Sequence, residues 1–268
     1  DYVRARQQNQ FELEYPHGTL EAVLKSWHPV DIKIGLDYQY NRAGVFPGSR
    51  VDQDLRSGAI LGRGDFGVYT VSTGLIWDSR DSETSPSAGA HHNISARIVP
   101  GSLTRTPYTY AGVNGSLRNY FGIWRQHVVL ATRLVGDVLT GDVPFFSLAE
   151  SEDGYAVGGG RGVRGVPAQR YYGKVKTYGN VELRIQFPSL NAFDQELILG
   201  VVGFADGGRV WADLRPDPNL DGRGPGLKYG VGGGLRVQLG ETFLVRGDAA
   251  WSPDADPIAF YFNVGQVF

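Results

Sequence analysis

Two residue types are missing from this chain of 268: cysteine and methionine. Without cysteine there are no disulfides, no thiol nucleophile and no thiolate metal site. Without methionine the initiator is gone, so the chain reads as processed or as a fragment, and nothing at Asp1 resembles an uncleaved signal peptide. Long hydrophobic runs are missing too. No stretch approaches the ~18–20 apolar residues that a membrane helix needs. That leaves a soluble β-protein and a membrane β-barrel both open, because a spanning strand needs only about 9–11 alternating residues. Charge excess is also absent: the net charge of −2 gives no argument for a nucleic-acid partner.

What is abundant is glycine, 38 residues, together with 14 Tyr, 13 Phe and 5 Trp, a mixture that suits a barrel with aromatic girdles. Period-two alternation runs through most of the chain. Ile32, Ile34, Leu36, Tyr38 and Tyr40 share one face, and Asp31, Lys33, Gly35, Asp37 and Gln39 the other. Tyr69 to Trp77, Ile94 to Ile98, Thr109 to Asn119 and Val128 to Leu134 repeat the pattern. So do Val175 to Phe187, Leu197 to Val201, Leu227 to Leu239 and Phe243 to Trp251. The count is about twelve strands over residues 11–268, with no convincing helix. Residues 1–10 read as a polar N-terminal linker. An even count would bring both ends of the sheet to the same side.

Connections alternate in length. Asn41–Gly64, Thr140–Tyr172 and Trp211–Pro225 are long and fall on one side. The turns at His28, Asp78–Gly89, Phe121, Pro188–Phe193 and Gly240 fall on the other. Long external loops and short periplasmic turns are the outer-membrane pattern. The polar faces carry full charges, among them Arg125, Arg133, Glu182, Arg184, Arg236, Arg246 and Asp248. A dry soluble barrel could not hold these unpaired. A sandwich could turn them to water, but strands this long exceed its usual five or six residues. The fold class expected is therefore all-β, a transmembrane antiparallel barrel.

Motifs for chemistry are few. Gly160-x-Gly162-x-x-Gly165 matches a dinucleotide fingerprint in letters, but Pro167 and a polar strand follow where a helix is required. Asp213, Asp217 and Asp221 lack calcium-loop spacing. No nucleophile elbow and no metal-like His cluster occurs, so no metal, no cofactor and no enzyme activity are expected. Arg125, His127 and Arg133 read as the lining of a wet lumen, with a selective ion path as the sharper alternative.

Four ordered pieces resemble the BamA/TamA superfamily of outer-membrane assembly barrels, the bacterial surface antigen proteins. They are Gly74 to Asp81 with Pro86 and Gly89, similar to that family's Asp-x-Arg-Asp turn; Gly159 to Val166 with Gly173, similar to its Val-Arg-Gly-aromatic loop; Gly179 to Arg184 followed by Phe204 to Trp211; and the final strand ending Phe262 to Phe268. The loop motif's aromatic is Val166 here, and the family barrel has sixteen strands. The resemblance implies that the long extracellular loop folds into the lumen, where Arg164, followed by Gly165, pairs with Glu182 and Asp206. It implies a structural turn network of Asp78, Arg80 and Asp81 on the periplasmic side. It further implies an insertion signal at Phe262, Gly265 and Phe268. The function implied is insertion or translocation of outer-membrane proteins, or of lipids, in the bacterial outer membrane. The partners would be outer-membrane lipids and either unfolded barrel clients or a stoichiometric outer-membrane complex. An anchor or binding module for a partner or passenger, and a passive pore, remain as alternatives.

Overall fold

The computed structural model describes residues 11–14, 16–101, 106–124, 126–151, 154–155, 157–192 and 195–268. The alternating segments become strands of one antiparallel sheet. They are β1 (Phe11–Glu14), β2 (His17–Trp27), β3 (Val30–Val45), β4 (Asp65–Asp78), β5 (Gly89–Val99), β6 (Tyr110–Trp124), β7 (Val128–Gly141), β10 (Val175–Gln186), β11 (Leu190–Ala192), β12 (Gln195–Trp211), β13 (Lys228–Leu239), β14 (Phe243–Ser252) and β15 (Ala255–Val264). A separate two-strand ribbon, β8 (Glu150–Ser151) and β9 (Gly154–Tyr155), lies in the longest loop. The large sheet has thirteen strands. β1 and β2 pair with successive parts of β3, and β11 pairs with the start of β12. The expected linker over residues 1–10 lies outside the described residues.

The two faces differ as the alternation requires. Exposed apolar side chains such as Ile34, Leu36, Val71, Leu75, Val113, Leu134, Leu183 and Leu235 cover one face. Buried polar ones such as Lys33, Asn114, Asp137, Lys176, Glu182 and Arg246 line the other. An exposed apolar belt around a polar interior is a lipid-facing wall around a lumen. Aromatic pairs mark its upper edge: the rings of Tyr38 and Tyr69 lie 4.6 Å apart, and those of Tyr229 and Trp251 6.3 Å apart. On β14 the girdle positions are Phe243 and Trp251. Eight steps of ~3.4 Å give about 27 Å of strand, or about 21 Å in height at a ~40° tilt. That is close to the ~25 Å apolar band of outer-membrane barrels.

The loop sides follow the alternation of lengths. The loops after β3, β7 and β12 share one end, and the turns after β2, β4, β6 and β13 share the other. The even-count expectation does not hold. Phe11 pairs with Val45 at the long-loop end, whereas Val264 pairs with Val245 at the short-turn end. β2 and β15 thus run in the same direction. Among the described residues they are not paired with each other.

The expectation of no helix also needs correcting. Within the loop after β3, Arg50–Ser57 forms an eight-residue helix, α1. Ser49 caps it, accepting from the Asp52 N–H at 3.2 Å, and Gly58 ends it at φ 77°. Leu55 of α1 joins Val143, Phe145 and Phe146 of the longest loop. Together they pack on Phe66, Val68, Val99, Tyr110 and Leu139, which point inward at the long-loop end.

Candidate functional site: the luminal arginine node

The inner faces of β7, β10, β12, β13, β14 and β15 stack in rungs fixed by strand register. One rung carries Arg133, Asn180, Asp206 and Gly230. The next carries Glu182, Phe204, Gly232 and Ala250. The third carries Arg184, Val202, Gly234, Asp248 and Tyr261. Gly230 of β13 leaves a hollow in the wall, and the backbone of the loop tip at Arg164 fills it.

Arg164 sits in that hollow with no solvent exposure. Its Nε and Nη2 donate to the two oxygens of Asp206 at 2.7 and 2.9 Å, and its own N–H donates to Asp206 at 3.1 Å. Nη1 donates to Glu182 at 2.7 Å and to Asp248 at 3.4 Å. The guanidinium lies over Phe204, 3.4 Å from Cζ to ring centre. A planar five-donor fork is what such a set of acceptors needs. Gly230 is required at its position, because a Cβ there would run into the Arg164 carbonyl oxygen. Gly165, at φ 91°, turns the loop away and donates its N–H to the Tyr261 hydroxyl at 3.0 Å.

Two of the acids, Glu182 and Asp248, are shared with three wall arginines. Arg184 donates to Glu182 at 2.9 Å, Arg236 to Asp248 at 2.6 Å and Arg246 to Asp248 at 3.2 Å. Arg246 also donates to the Gly160 carbonyl at 2.9 Å. Arg133 donates to Asn180 and to the Arg161 carbonyl, and Asn180 donates to the Gly162 carbonyl at 2.8 Å. Four arginines thus surround three carboxylates in a buried cluster, and the loop backbone is held alongside. Val157, Val163 and Val166 of the tip pack on Val135 and Tyr178 of the wall. Val166, where the resembled motif has an aromatic, has no exposure and fits this apolar seat.

Arg164, Gly165, Glu182 and Asp206 are therefore brought together, and their neighbours Asp248, Phe204, Gly230 and Tyr261 complete the node. Alternation signalled the inward face of Asp248 but not its height; Phe204 stood at the head of a piece that carries the resemblance, with no role attached to it.

Asp78, Arg80 and Asp81 lie together at the short-turn end. Arg80 grips Asp78 with Nε at 2.9 Å and Nη2 at 2.7 Å. Asp81 instead accepts from the N–H groups of Ser87 and Ala88 at 2.9 and 3.2 Å. Partial burial alone would raise the Asp81 pKa; the Ser87 hydroxyl and these N–H groups outweigh it and hold the carboxyl below its usual range. The turn reaches across the lumen mouth, where Gln186 of β10 donates to Ser85 at 2.6 Å.

The three C-terminal residues part company. Phe262 is 80% exposed on the outer face, its ring over Gly247 of β14. Gly265 turns the chain at φ 84°. Phe268 is buried inside, in a cluster with Tyr120, Val129, Ala131 and Val267. Of the proposed lumen arginines, Arg133 is buried and Arg125 lies outside the described residues. Among the described residues no group of His, Asp and Glu could hold a metal ion. A polar chamber of about 480 Å³ remains on the side of β2 to β6, between Thr19, Asp37, Thr70, Arg97 and Glu150.

Residues 7–268 match the Omp85 superfamily domain. The structure is similar to the crystal structure of BamA from Haemophilus ducreyi lacking POTRA domains 1-3, with a TM-score of 0.67 and 17% identity. That match covers 97% of this chain and 56% of the other, so the chain spans about half the length of that structure. No curated protein matches the sequence.

Proposed function

The chain belongs to the Omp85 superfamily, and from that membership we propose that it is an outer-membrane barrel that takes part in inserting or translocating outer-membrane proteins, with no covalent chemistry of its own. The observation that carries this reading is the buried Arg164 node, which pins a long loop inside a lipid-facing sheet. The loop braces one wall of the lumen, β7 to β15, from within. At the end of that wall the edges β15 and β2 carry no mutual pairing among the described residues. A braced wall beside an unpaired seam gives the sheet one place to part. Outer-membrane lipids bathe its apolar face, and the partners in this reading are unfolded barrel clients.

The test is reconstitution in lipid vesicles, following the folding of an unfolded outer-membrane barrel. Vesicles holding the protein should speed folding over empty vesicles, and Arg164→Ala should remove most of the gain. Equal rates with and without the protein reject the reading. The anchor alternative would instead show as a fixed stoichiometric partner on purification.

A further inference from the structure

The luminal loop is not the only segment tucked into the barrel. After Gly265, whose N–H donates to the Leu244 carbonyl at 2.8 Å, the tail turns inward and buries Val267 and Phe268. The Phe268 ring lies within cation–π reach of two arginines, 5.0 Å from Arg133 Cζ and 5.1 Å from Arg184 Cζ, and stacks on Tyr120 at 6.5 Å. Its backbone oxygen accepts from Arg184 at 3.1 Å.

Both of these arginines also serve the loop. Arg184 holds Oε2 of Glu182, whose Oε1 is held by Arg164. Arg133 donates to the Arg161 carbonyl in the loop tip. Two segments roughly a hundred residues apart therefore share the same two side chains. If the tail leaves, both arginines lose an aromatic face, and Arg184 loses an acceptor in a dry site. They are then freer to shift off Glu182 and the loop backbone. If the loop leaves, Glu182 loses Arg164 and pulls Arg184 toward itself, away from Phe268. Cation–π contacts gain strength when desolvated, as they are here.

We propose that Arg184 and Arg133 are positioning residues that couple the luminal loop to the C-terminal tail, so that release of either weakens the hold on the other. The proposal rests on the reading of the Arg164 node as a lock, and gives that lock a connection to the end of the last strand. Such coupling is reciprocal: each segment changes the opening of the other by the same factor.

The cysteine-free chain makes the test direct. Val163→Cys in the loop and Val267→Cys in the tail each place one thiol where the wild-type side chain is buried. The rate of maleimide labelling in detergent micelles then reports opening of each segment. Phe268→Leu keeps an apolar side chain and removes the ring. It should speed labelling at position 163 by about fivefold or more, and Arg164→Ala should speed position 267 by a similar factor. Phe268→Tyr should leave both rates near wild type. Arg184→Gln, which alters neither segment, should speed both and serves as a second route should a Phe268 variant misfold.

Faster labelling at 267 with an unchanged rate at 163 in Phe268→Leu, or an unchanged rate at both, overturns the coupling. The lock fails separately, if Arg164→Ala leaves position 163 slow.

Discussion

Arg164 has no exposed surface through which solvent could share its charge, so its stability rests on geometry. Removing one partner of a buried ion pair typically costs ~3–5 kcal/mol, because the other is left charged and dry. Wall arginines remain beside Glu182 and Asp248, which softens the cost there, but Asp206 accepts only from Arg164 among the described residues and would be left without a side-chain donor. The sharper probe is Arg164→Lys, which keeps the charge and loses the fork. An ammonium cannot answer both oxygens of Asp206 and one of Glu182 together, nor spread over Phe204 as the guanidinium does. A loss of about 2 kcal/mol is expected, the range of a hydrogen bond to a charged group left unmade. Urea unfolding in micelles measures it; an unchanged midpoint would show that charge alone holds the loop. Part of this node was legible in the sequence. Alternation assigns Glu182, Arg184, Arg236 and Asp248 to one face because the side-chain period is two. It does not say which of them stand at the height of Arg164. That depends on registers such as Glu182 opposite Phe204 and Gly234 opposite Asp248, which are set across strands rather than along them.

At the scale of elements, the β13 glycines and the β4–β5 turn show two ways in which local sequence serves a distant partner. The glycines at 230, 232 and 234 weaken a strand in isolation, yet Gly230 leaves room for the Arg164 backbone, Gly232 for the Phe204 ring and Gly234 for the side chains of Asp248 and Arg236. Their role was not legible, since a missing side chain does not reveal what replaces it. The helix α1 escaped notice for a related reason. Eight polar-rich residues are too short to show a period, and only Ser49 and Gly58 at its ends signal it. The turn was plainer, because Asp78 to Gly89 is rich in turn formers and ends two clean strands. It should respond to acid. A carboxylate held below its usual pKa stabilises the fold above the unfolded value, ~3.9 for Asp, and that contribution is lost as pH falls through the lower folded value. Amide protection at Ser87 and Ala88 should therefore hold steady above about pH 4 and decline below it. In Asp81→Asn the neutral-pH protection should be lower and the acid-linked decline absent. Matching profiles for the two proteins would remove Asp81 from the turn's hydrogen bonding.

For the whole molecule, the question is what a lumen lined with charge lets through. The wall alone would make a wet pore; alternation could go no further than that, and only the family resemblance put the loop inside it. Two separate fillings stand in the way. At the long-loop end, Leu55, Val143, Phe145 and Phe146 form an apolar cluster against Phe66, Val68 and Val99. Nearer the middle, the Arg164 node fills the half formed by β7 to β15. The first is held by burial of apolar surface, which salt does not screen; the second by ion pairs that are buried and so screened little. Neither depends on the other for its contacts, so they should fail separately. Planar-bilayer recordings should accordingly show no steady conductance for the native chain. Arg164→Ala should add at most brief openings, since the apolar cluster remains seated. Replacing residues 142–172 by a short Gly-Ser linker removes the loop's share of both fillings at once, and only then should long-lived steps appear. A native chain that conducts steadily would mean that ions bypass both fillings, by the polar chamber beside Thr19, Asp37 and Glu150, and a passive pore would then displace the assembly reading.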